Sequence, residues 1–224
     1  MLSKNQVKYI RALHSGKFRE IHRQYIVEGA KMVTELLHSK KQIVLLFATA
    51  DFITSINNFA VEKKVAIHII TEDELKKISA LSAPNKALAV VAADNNVWND
   101  ENIISNGLHI ALENIQDPGN LGTIIRSADW FGVEAIFCSK ETVDVYNPKA
   151  VQSSMGSLFR IPVYYTDLKN LLKTNAHLPS YAAALSGNNI YEINLPESAI
   201  IFIGNESKGL SDDMVKCCKH KIAI

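Results

Sequence analysis

Amide, carboxylate and guanidinium side chains gather in one short stretch, ENIQDPGNLGTIIRSADWFG, residues 113–132. Its Pro-Gly pair predicts a tight turn, and Asn120 is a favoured N-cap for a helix over residues 121 to about 131. The spacing predicts an apolar face of Leu121, Ile124, Ile125, Ala128 and Phe131. Arg126 projects from the other side of this helix. Taken alone, this stretch favours a capped helix with a solvent-facing arginine. That interpretation does not explain why small and hydrogen-bonding residues crowd the start of the helix, and a ligand site is the alternative.

A second stretch of this kind is AIIFIGNESKGLSDDM, residues 199–214. An apolar strand pattern ends at Gly204, and a loop continues through Gly209. The glycines indicate either ordinary turn geometry or backbone N–H and C=O groups opened to a ligand, with Glu206 as a charge at the rim. Ser211 is the predicted N-cap of a following helix.

A third polar turn, in AAALSGNN, carries Leu185, Ser186 and Gly187 out of a strand. Short apolar runs alternate with helical patterns over this half of the chain, which predicts a parallel sheet covered on both faces. Ligands of such sheets bind beyond the carboxyl ends of the strands. The three turns are therefore the candidate binding region.

The chain divides by pattern into two domains. Residues 1–94 predict a smaller α/β domain, in which Thr71 and Glu74 form a capping box. Residues 95–107 are polar and turn-rich and predict a linker, and residues 108–224 form the second α/β domain.

The sequence lacks the motifs of several classes of enzyme and metal-binding protein. The chain has no G-x-G-x-x-G, no phosphate loop and no H-E-x-x-H, and its seven His are scattered, so no metal site is expected. No apolar run is long enough to span a membrane, and the start of the chain lacks the apolar core of a signal peptide. With three Cys, an odd count, structural disulfides are not expected, and the cytoplasm is the predicted compartment.

Charge is distributed unevenly along the chain. Residues 1–41 carry nine Lys or Arg and three Glu, a net charge of +6, whereas the remainder carries −5. A basic segment indicates a polyanion partner such as RNA or DNA, and a solvated helical face is the equally acceptable alternative.

Taken together, these stretches resemble the SpoU (TrmH-like) branch of the SPOUT RNA methyltransferases. The family's first motif corresponds to Asn114, Asp117, Pro118, Asn120, Gly122 and Arg126. Its second motif corresponds to IFIGNESKGL, and NPKAVQSSMGSLFRIPV is similar to the intermediate segment. The stretch from QVKYIRAL to MVTELL resembles the L30e-like substrate-binding domain that many members carry.

The resemblance implies an α/β-knot, a trefoil-knotted parallel sheet, in the C-terminal domain. It implies methyl transfer from S-adenosylmethionine to a ribose 2′-hydroxyl of RNA without a metal, with ribosomal RNA preferred and transfer RNA as the alternative. Arg126, Asn120 and Glu206 would act at the reacting ribose, Arg126 by orienting the nucleophile and Glu206 by holding Arg126 or the RNA backbone. The cofactor would rest on Leu185, Ser186, Gly187, Ile203, Gly204, Asn205, Gly209, Ile222 and Ile224.

The resemblance also implies partners. The protein would form a homodimer through its C-terminal domain and bind RNA. No membrane partner is expected. The expected RNA contacts are Lys8, Arg11, Lys17, Arg19, Arg23, Lys149 and Ser154. One departure stands out: the family's third motif continues from Ile-Pro-Met to a Ser-Leu-Asn turn and a final helix, whereas this sequence stops at KIAI. We expect a shortened chain, and an RNA-binding relative without methyl transfer is the alternative.

Overall fold

The computed structural model describes residues 2–62, 65–99 and 101–223, apart from the side chains of residues 57–62. Contacts between residues divide the chain into two units. The N-terminal unit combines residues 1–94 with residues 144–160, and the C-terminal unit combines residues 95–143 with residues 161–224. The segment 144–160 lies inside the predicted C-terminal domain but packs with the N-terminal residues. The predicted domain boundaries themselves stay a prediction.

A mixed four-stranded sheet forms the centre of the N-terminal unit, in the order β1-β4-β2-β3. Strand β4 is antiparallel to both its neighbours, and β2 is parallel to β3. Buried aliphatic side chains such as Ile10 and Leu88, together with Phe47, form its core. The elements are α1 Lys4–Ala12, α2 Gly16–His22, β1 Gln24–Glu28, α3 Ala30–His38, β2 Ile43–Ala48, α4 Ala50–Glu62, β3 Ile67–Ile69, α5 Glu72–Ile78 and β4 Ala87–Ala92.

The C-terminal unit is built on a six-stranded sheet in the order β10-β8-β9-β5-β6-β7. Every neighbouring pair in this sheet is parallel, which confirms the prediction and agrees with an α/β-knot. No helix in the described part of the chain is long and apolar enough to cross a bilayer. The elements are β5 Leu108–Leu112, α6 Pro118–Trp130, β6 Ala135–Cys138, β7 Val163–Tyr165, α8 Leu168–Thr174, β8 Ser180–Asn189, β9 Ala199–Ile203, α9 Asp212–Cys217 and β10 His220–Ala223, with α7 Pro148–Ser153 belonging to the N-terminal unit.

Local hydrogen bonds set several helix starts as the sequence predicts. The Thr71 hydroxyl accepts from the Glu74 N–H at 3.2 Å, and the Glu74 carboxylate accepts from the Thr71 N–H at 3.0 Å. This capping box begins α5. Ser211 caps α9 by accepting from the Met214 N–H. Both caps are confirmed, because each requires only residues three positions apart.

Arg19 is a buried arginine of the N-terminal unit, with 6% of its surface exposed. Its guanidinium pairs with the Asp144 carboxylate at 2.7 Å and donates to the carbonyls of Leu13 and His14 at 3.1 and 2.9 Å. These contacts tie α2 to the preceding turn and to the segment 144–160. The Arg19 guanidinium therefore uses its donors inside the protein, which argues against its predicted contact with RNA phosphates.

Replacing this guanidinium should weaken the unit. Arg19→Ala is expected to lower the free energy of unfolding by about 2 kcal/mol, because it removes the donor for two carbonyls and the partner of Asp144. Lys17→Ala, an exposed change on the same helix, should lower it by less than about 0.5 kcal/mol. Urea denaturation measures both values, and equal midpoints for the two variants would contradict a structural role for Arg19.

Candidate functional site

The two polar stretches meet because β5 and β9 are neighbours. The strands run parallel with Leu112 opposite Ile203, so their carboxyl ends lie at the same edge of the sheet. Beyond the ladder, the Glu113 N–H donates to the Ile203 carbonyl at 2.9 Å. The Glu113 carboxylate accepts from both the N–H and the hydroxyl of Ser211, at 2.7 and 2.8 Å. Residues about ninety positions apart are thereby held together.

A cleft of about 880 Å³ opens between these two loops. All its wall residues are polar or charged, which suits a hydroxylated ligand held by hydrogen bonds. The lining consists of Asn114, Gln116, Asp117, Asn120, Asn205, Glu206, Ser207 and Lys208.

The first loop reaches the cleft through a tight start of α6. Asp117, not Asn120, is the N-cap: its carboxylate accepts from the Asn120 N–H at 3.0 Å, and Pro118 occupies the first helical position. The predicted N-cap was therefore wrong by three residues. An N-cap carboxylate followed by proline caps the backbone N–H groups of the first turn, so the helix begins three residues before Leu121. The side chain of Asn120 is left to face the cleft.

Asn120 and Glu206 join the two loops across the cleft. The Asn120 side-chain amide donates to one Glu206 carboxylate oxygen at 3.0 Å. The Asn205 amide donates to the other oxygen at 3.2 Å and to the Asn114 carbonyl at 2.9 Å. The Asn205 side-chain oxygen accepts from the N–H groups of Ser207 and Lys208, which closes the second loop. Two predicted catalytic residues, Asn120 and Glu206, are thus brought together.

The hydrogen bond from Asn120 is the main reason that the pKa of Glu206 is lowered from its ordinary value. Backbone N–H groups of Glu206 itself, Asp117 and Gln116 lower this pKa further. Donors directed at a carboxylate stabilise its charged form. Glu206 is therefore a carboxylate at neutral pH, and it acts as a hydrogen-bond acceptor more readily than as a base.

Arg126 lies six residues after Asn120 on α6, and it does not line the cleft. At 1.5 Å per residue this is about 9 Å along the helix axis. Its side chain is exposed and makes no hydrogen bond or ion pair with any residue that the structure describes. The structure therefore does not place Glu206 against Arg126. Helical side chains lean toward the N-terminus, which for Arg126 is the direction of the cleft.

The apolar face of α6 is shorter than the sequence predicts. Leu121, Ile125 and Ala128 are buried, as expected. Phe131, predicted to share this face, is 76% exposed, and the neighbouring Trp130 is 85% exposed. The helix ends at Trp130, and Phe131 is its C-cap, with the side chain left in solvent.

The predicted cofactor residues lie at the carboxyl ends of β8 and β9 and on β10. The structure describes all of β8, and residues 183–187 of this strand pair with no residue of β9 or β10. A Cβ on Gly187 would come within 2.3–2.6 Å of backbone atoms of Ile222, so β10 passes directly against this glycine. The Leu185 side chain is fully exposed beside this crossing.

The same edge of the sheet has a second close backbone approach. A Cβ on Gly204 would lie 2.1 Å from the Gly209 carbonyl carbon and from the Leu210 nitrogen. Only glycine leaves room for this crossing. Together with Ile203 and Ser186, these strand ends offer main-chain donors and acceptors, which fit a cofactor held through backbone hydrogen bonds. Ile224 lies outside the described residues.

Most of the predicted RNA contacts are exposed on the N-terminal unit. They are Lys8, Arg11, Lys17, Arg23 and Lys149. Ser154 is completely buried, and its hydroxyl donates to the Val151 carbonyl at 2.7 Å. Ser154 therefore satisfies its own helix end and is not open to RNA, and Arg19 is buried as described above.

Sequence reasoning did not select three residues that line the cleft. Gln116 donates to the Asn114 side-chain oxygen at 2.5 Å and to the Glu141 carbonyl at 2.9 Å. Ser207 and Lys208 stand between Glu206 and Gly209, and Lys208 supplies the cation of the cleft lining. The feature of the sequence that could have pointed to them is their position within residues 113–132 and 199–214. Residue type alone gave no reason to separate them from an ordinary polar loop.

Comparison with known proteins places these features in a family. Residues 107–224 match the model of the SpoU rRNA Methylase family, and residues 4–89 match the MRM3-like substrate binding domain. The chain is 30% identical, over 93% of its length and 82% of the relative, to 23S rRNA (guanosine(2553)-2′-O)-methyltransferase RlmP of Bacillus subtilis.

Two solved structures share the whole fold. A TrmH-family protein from Porphyromonas gingivalis superposes with a TM-score of 0.90 and 32% identity, covering 100% of this chain and 89% of that one. The AdoMet-bound rRNA methyltransferase from Sinorhizobium meliloti gives a TM-score of 0.87 and 25% identity, covering 100% and 87%.

The contact between Asn120 and Glu206 can be tested by titration. Asn120→Ala is expected to raise the pKa of Glu206 toward its ordinary value of 4.5, because the largest cause of the lowering is removed. A lowered pKa stabilises the fold at neutral pH, and this contribution is lost as the pH falls through the lowered value. NMR titration of the Glu206 carboxyl carbon measures the shift.

The matched control for this titration is Thr123→Ala. Thr123 lies on the same helix, and its hydroxyl donates to the Gly119 carbonyl at 2.9 Å. It should leave the Glu206 titration unchanged. An unchanged pKa in the Asn120 variant would show that the amide does not govern this carboxylate.

Proposed function

We propose a function on the premise that this chain belongs to the SpoU rRNA methylase family. The protein transfers a methyl group from S-adenosylmethionine to a ribose 2′-hydroxyl of ribosomal RNA. The observation that carries the proposal is the polar cleft where β5 and β9 end, since all its lining residues fall within the matched residues 107–224. The preference for ribosomal RNA in the sequence analysis agrees with the family.

Backbone groups at three neighbouring strand ends would hold the cofactor. The proposed contacts are Leu185, Ser186, Gly187, Ile203, Gly204, Asn205, Gly209 and Ile222, together with Ile224. When bound, S-adenosylmethionine supplies an electrophilic methyl group on a sulfonium. The glycines at positions 187 and 204 allow the chain crossings that form this edge of the sheet.

The cleft residues would position the ribose. The side chains of Asn120 and Lys208, on opposite sides of the cleft, offer donors to ribose and phosphate oxygens. Glu206 accepts the Asn120 hydrogen bond and so fixes the orientation of that amide. Its lowered pKa makes it a positioning acceptor.

Arg126 would orient the 2′-hydroxyl and stabilise the negative charge that develops on its oxygen. A guanidinium is a donor and a poor proton acceptor in proteins, so Arg126 is not assigned the role of base. Within the described residues its side chain has no partner that would have to be displaced by the RNA. A positive charge placed where negative charge develops acts mainly on the transition state.

The N-terminal unit supplies the substrate-binding domain, residues 4–89. We propose that Lys8, Arg11, Lys17 and Arg23, with Lys149, contact phosphates of the RNA backbone. These contacts give affinity and registration but little sequence choice. Arg11 and Arg23 each donate to one main-chain carbonyl, of Lys77 and Asp94, which fixes their direction at the surface.

We also propose that the protein acts in the cytoplasm. Cys138, Cys217 and Cys218 are free thiols. Burial raises the pKa of the Cys218 thiol to about 12, so it stays protonated. Adjacent free thiols, one of them exposed, suit a reducing compartment.

Methyl transfer is tested with labelled S-adenosylmethionine and unmodified ribosomal RNA. Alkali-resistant label in the RNA identifies a ribose 2′-O-methyl group. Arg126→Ala is expected to lower kcat by about 100-fold or more, because it removes charge stabilisation that matters only in the transition state. Lys140→Ala, which removes an exposed cation from the same unit, should retain normal activity. Near-normal transfer by the Arg126 variant would overturn its assigned role.

A homodimer through the C-terminal unit is the proposed assembly. Trp130 and Phe131 form an exposed aromatic pair at the end of α6, and large exposed apolar groups commonly mark interfaces. The double change Trp130→Ala with Phe131→Ala is expected to shift the protein to monomer in sedimentation equilibrium. Ile103→Ala, at an exposed residue of the same unit, should leave the assembly unchanged. A dimeric double variant would exclude this surface as the interface.

A further inference from the structure

Three aromatic rings of the N-terminal unit, called the ladder below, lie in contact outside the catalytic cleft, and one of them, Tyr9, also packs against the core. Phe18 and His22, one turn apart on α2, stack with ring centroids 6.3 Å apart and planes at 12°. Tyr9 of α1 meets the His22 ring edge-on at 5.4 Å and 89°. The Tyr9 hydroxyl is fixed by a hydrogen bond to the Gln24 side chain. The ladder is therefore anchored at the Tyr9 end.

The other end of the ladder faces solvent. Phe18 is 40% exposed and His22 is also exposed. Helix α2 turns Arg19 inward, and its buried contacts hold the helix in one orientation. Phe18 and His22 therefore lie on a fixed outward face, and part of each ring is open to solvent before any ligand arrives.

Several exposed cations lie close to this ladder in the sequence, with one exposed carboxylate, Glu20, between Phe18 and His22. Lys17 and Arg23 flank it along the chain, and both are exposed. Helix α1 has no acidic residue in its first turn, and Lys4, Lys8 and Arg11, at spacings of four and three, share one exposed face. A surface with cations beside exposed rings suits a partner that presents both phosphates and flat bases.

We propose that Phe18 and His22 stack on an unpaired base of the RNA substrate, with Lys17 and Arg23 meeting the adjacent phosphates. This inference rests on the proposed function and adds to it the recognition of a single-stranded segment. Bases in single strands are bound by stacking on aromatic side chains beside basic residues. A base inside a duplex already stacks on its neighbours and offers no free face. The ladder therefore selects RNA in which a nucleotide is unpaired.

The test measures binding without methyl transfer. Affinities of the full chain are measured by fluorescence anisotropy for a short single-stranded oligoribonucleotide and for a duplex of the same sequence. Phe18→Ala is expected to weaken single-strand binding by about 5- to 100-fold and to leave duplex binding unchanged. Phe18→Trp should retain affinity, whereas Phe18→Leu should lose it, because leucine is apolar but has no ring face.

The salt dependence separates stacking from charge. Phe18→Ala should leave the slope of log affinity against log salt unchanged, since no phosphate contact is lost. Lys17→Ala should reduce the slope for a single strand by about 0.7. Ile21→Ala removes a more exposed apolar side chain of the same helix, 61% exposed, and should bind like the unchanged protein. Circular dichroism confirms that each variant is folded.

Several results would overturn the ladder as a base-stacking site. They are normal single-strand binding by Phe18→Ala, full affinity of Phe18→Leu, an equal loss with Ile21→Ala, or a change in oligomeric state in place of a change in RNA affinity. Methyl transfer to ribosomal RNA by the unchanged protein is measured separately. If transfer occurs while the Phe18 variants bind normally, the ladder fails and the proposed function stands. If the variants weaken single-strand binding but the unchanged protein transfers no methyl group, the proposed function fails instead.

Discussion

Five consecutive parallel pairs, from Leu108 opposite Ala199 to Leu112 opposite Ile203, hold β5 beside β9, and the cleft depends on this ladder. Both strands end at one edge, so the loops that follow them must meet. Glu113 strengthens the junction by accepting two hydrogen bonds from Ser211 at the start of α9. A shift of one residue in this register would turn each side chain to the opposite face of the sheet. The position of every polar group in the cleft therefore follows from strand pairing.

Hydrogen bonding gives Glu206, in the cleft, and Arg126, outside it, different environments. Glu206 receives donors from two asparagines and from backbone N–H groups, so its charge is stabilised and its direction is fixed. Arg126 has no such partner among the described residues and stays open to solvent on the same helix that carries Asn120. Glu206 is thus a fixed hydrogen-bond acceptor, whereas Arg126 is an open cation. Glu206 orients the protein's own amide, and Arg126 stays open to solvent.

The basic segment at the start of the chain contains arginines and lysines with different environments. Arg19 is buried against Asp144 and two carbonyls, whereas Lys17, two residues earlier, is exposed. A net charge counts these side chains equally, but only the exposed ones can release counterions from RNA. The buried guanidinium of Arg19 holds α2 in place, and with it the outward face that carries Phe18 and His22.

The sequence by itself determined what depends on short spacing. The alternation of strands and helices predicted the parallel sheet, and the caps at Thr71 and Ser211 needed only a partner three residues away. The resemblance to the family singled out Asn120 and Glu206, but only the folded sheet brought them within 3.0 Å of each other. The competing cap at the start of α6 is also a local matter, since Asp117 accepts from the N–H of Asn120, three residues later.

Asp117 began α6 in place of Asn120, and Phe131 lay beyond the helix end. Arg19 and Ser154 are residue types that usually face solvent, yet both are buried with their hydrogen bonds satisfied inside the N-terminal unit. Burial depends on contacts between distant parts of the chain, such as Arg19 with Asp144, 125 positions apart. A local sequence pattern shows the chemical type of a side chain, but it does not show which distant segment will bury that side chain.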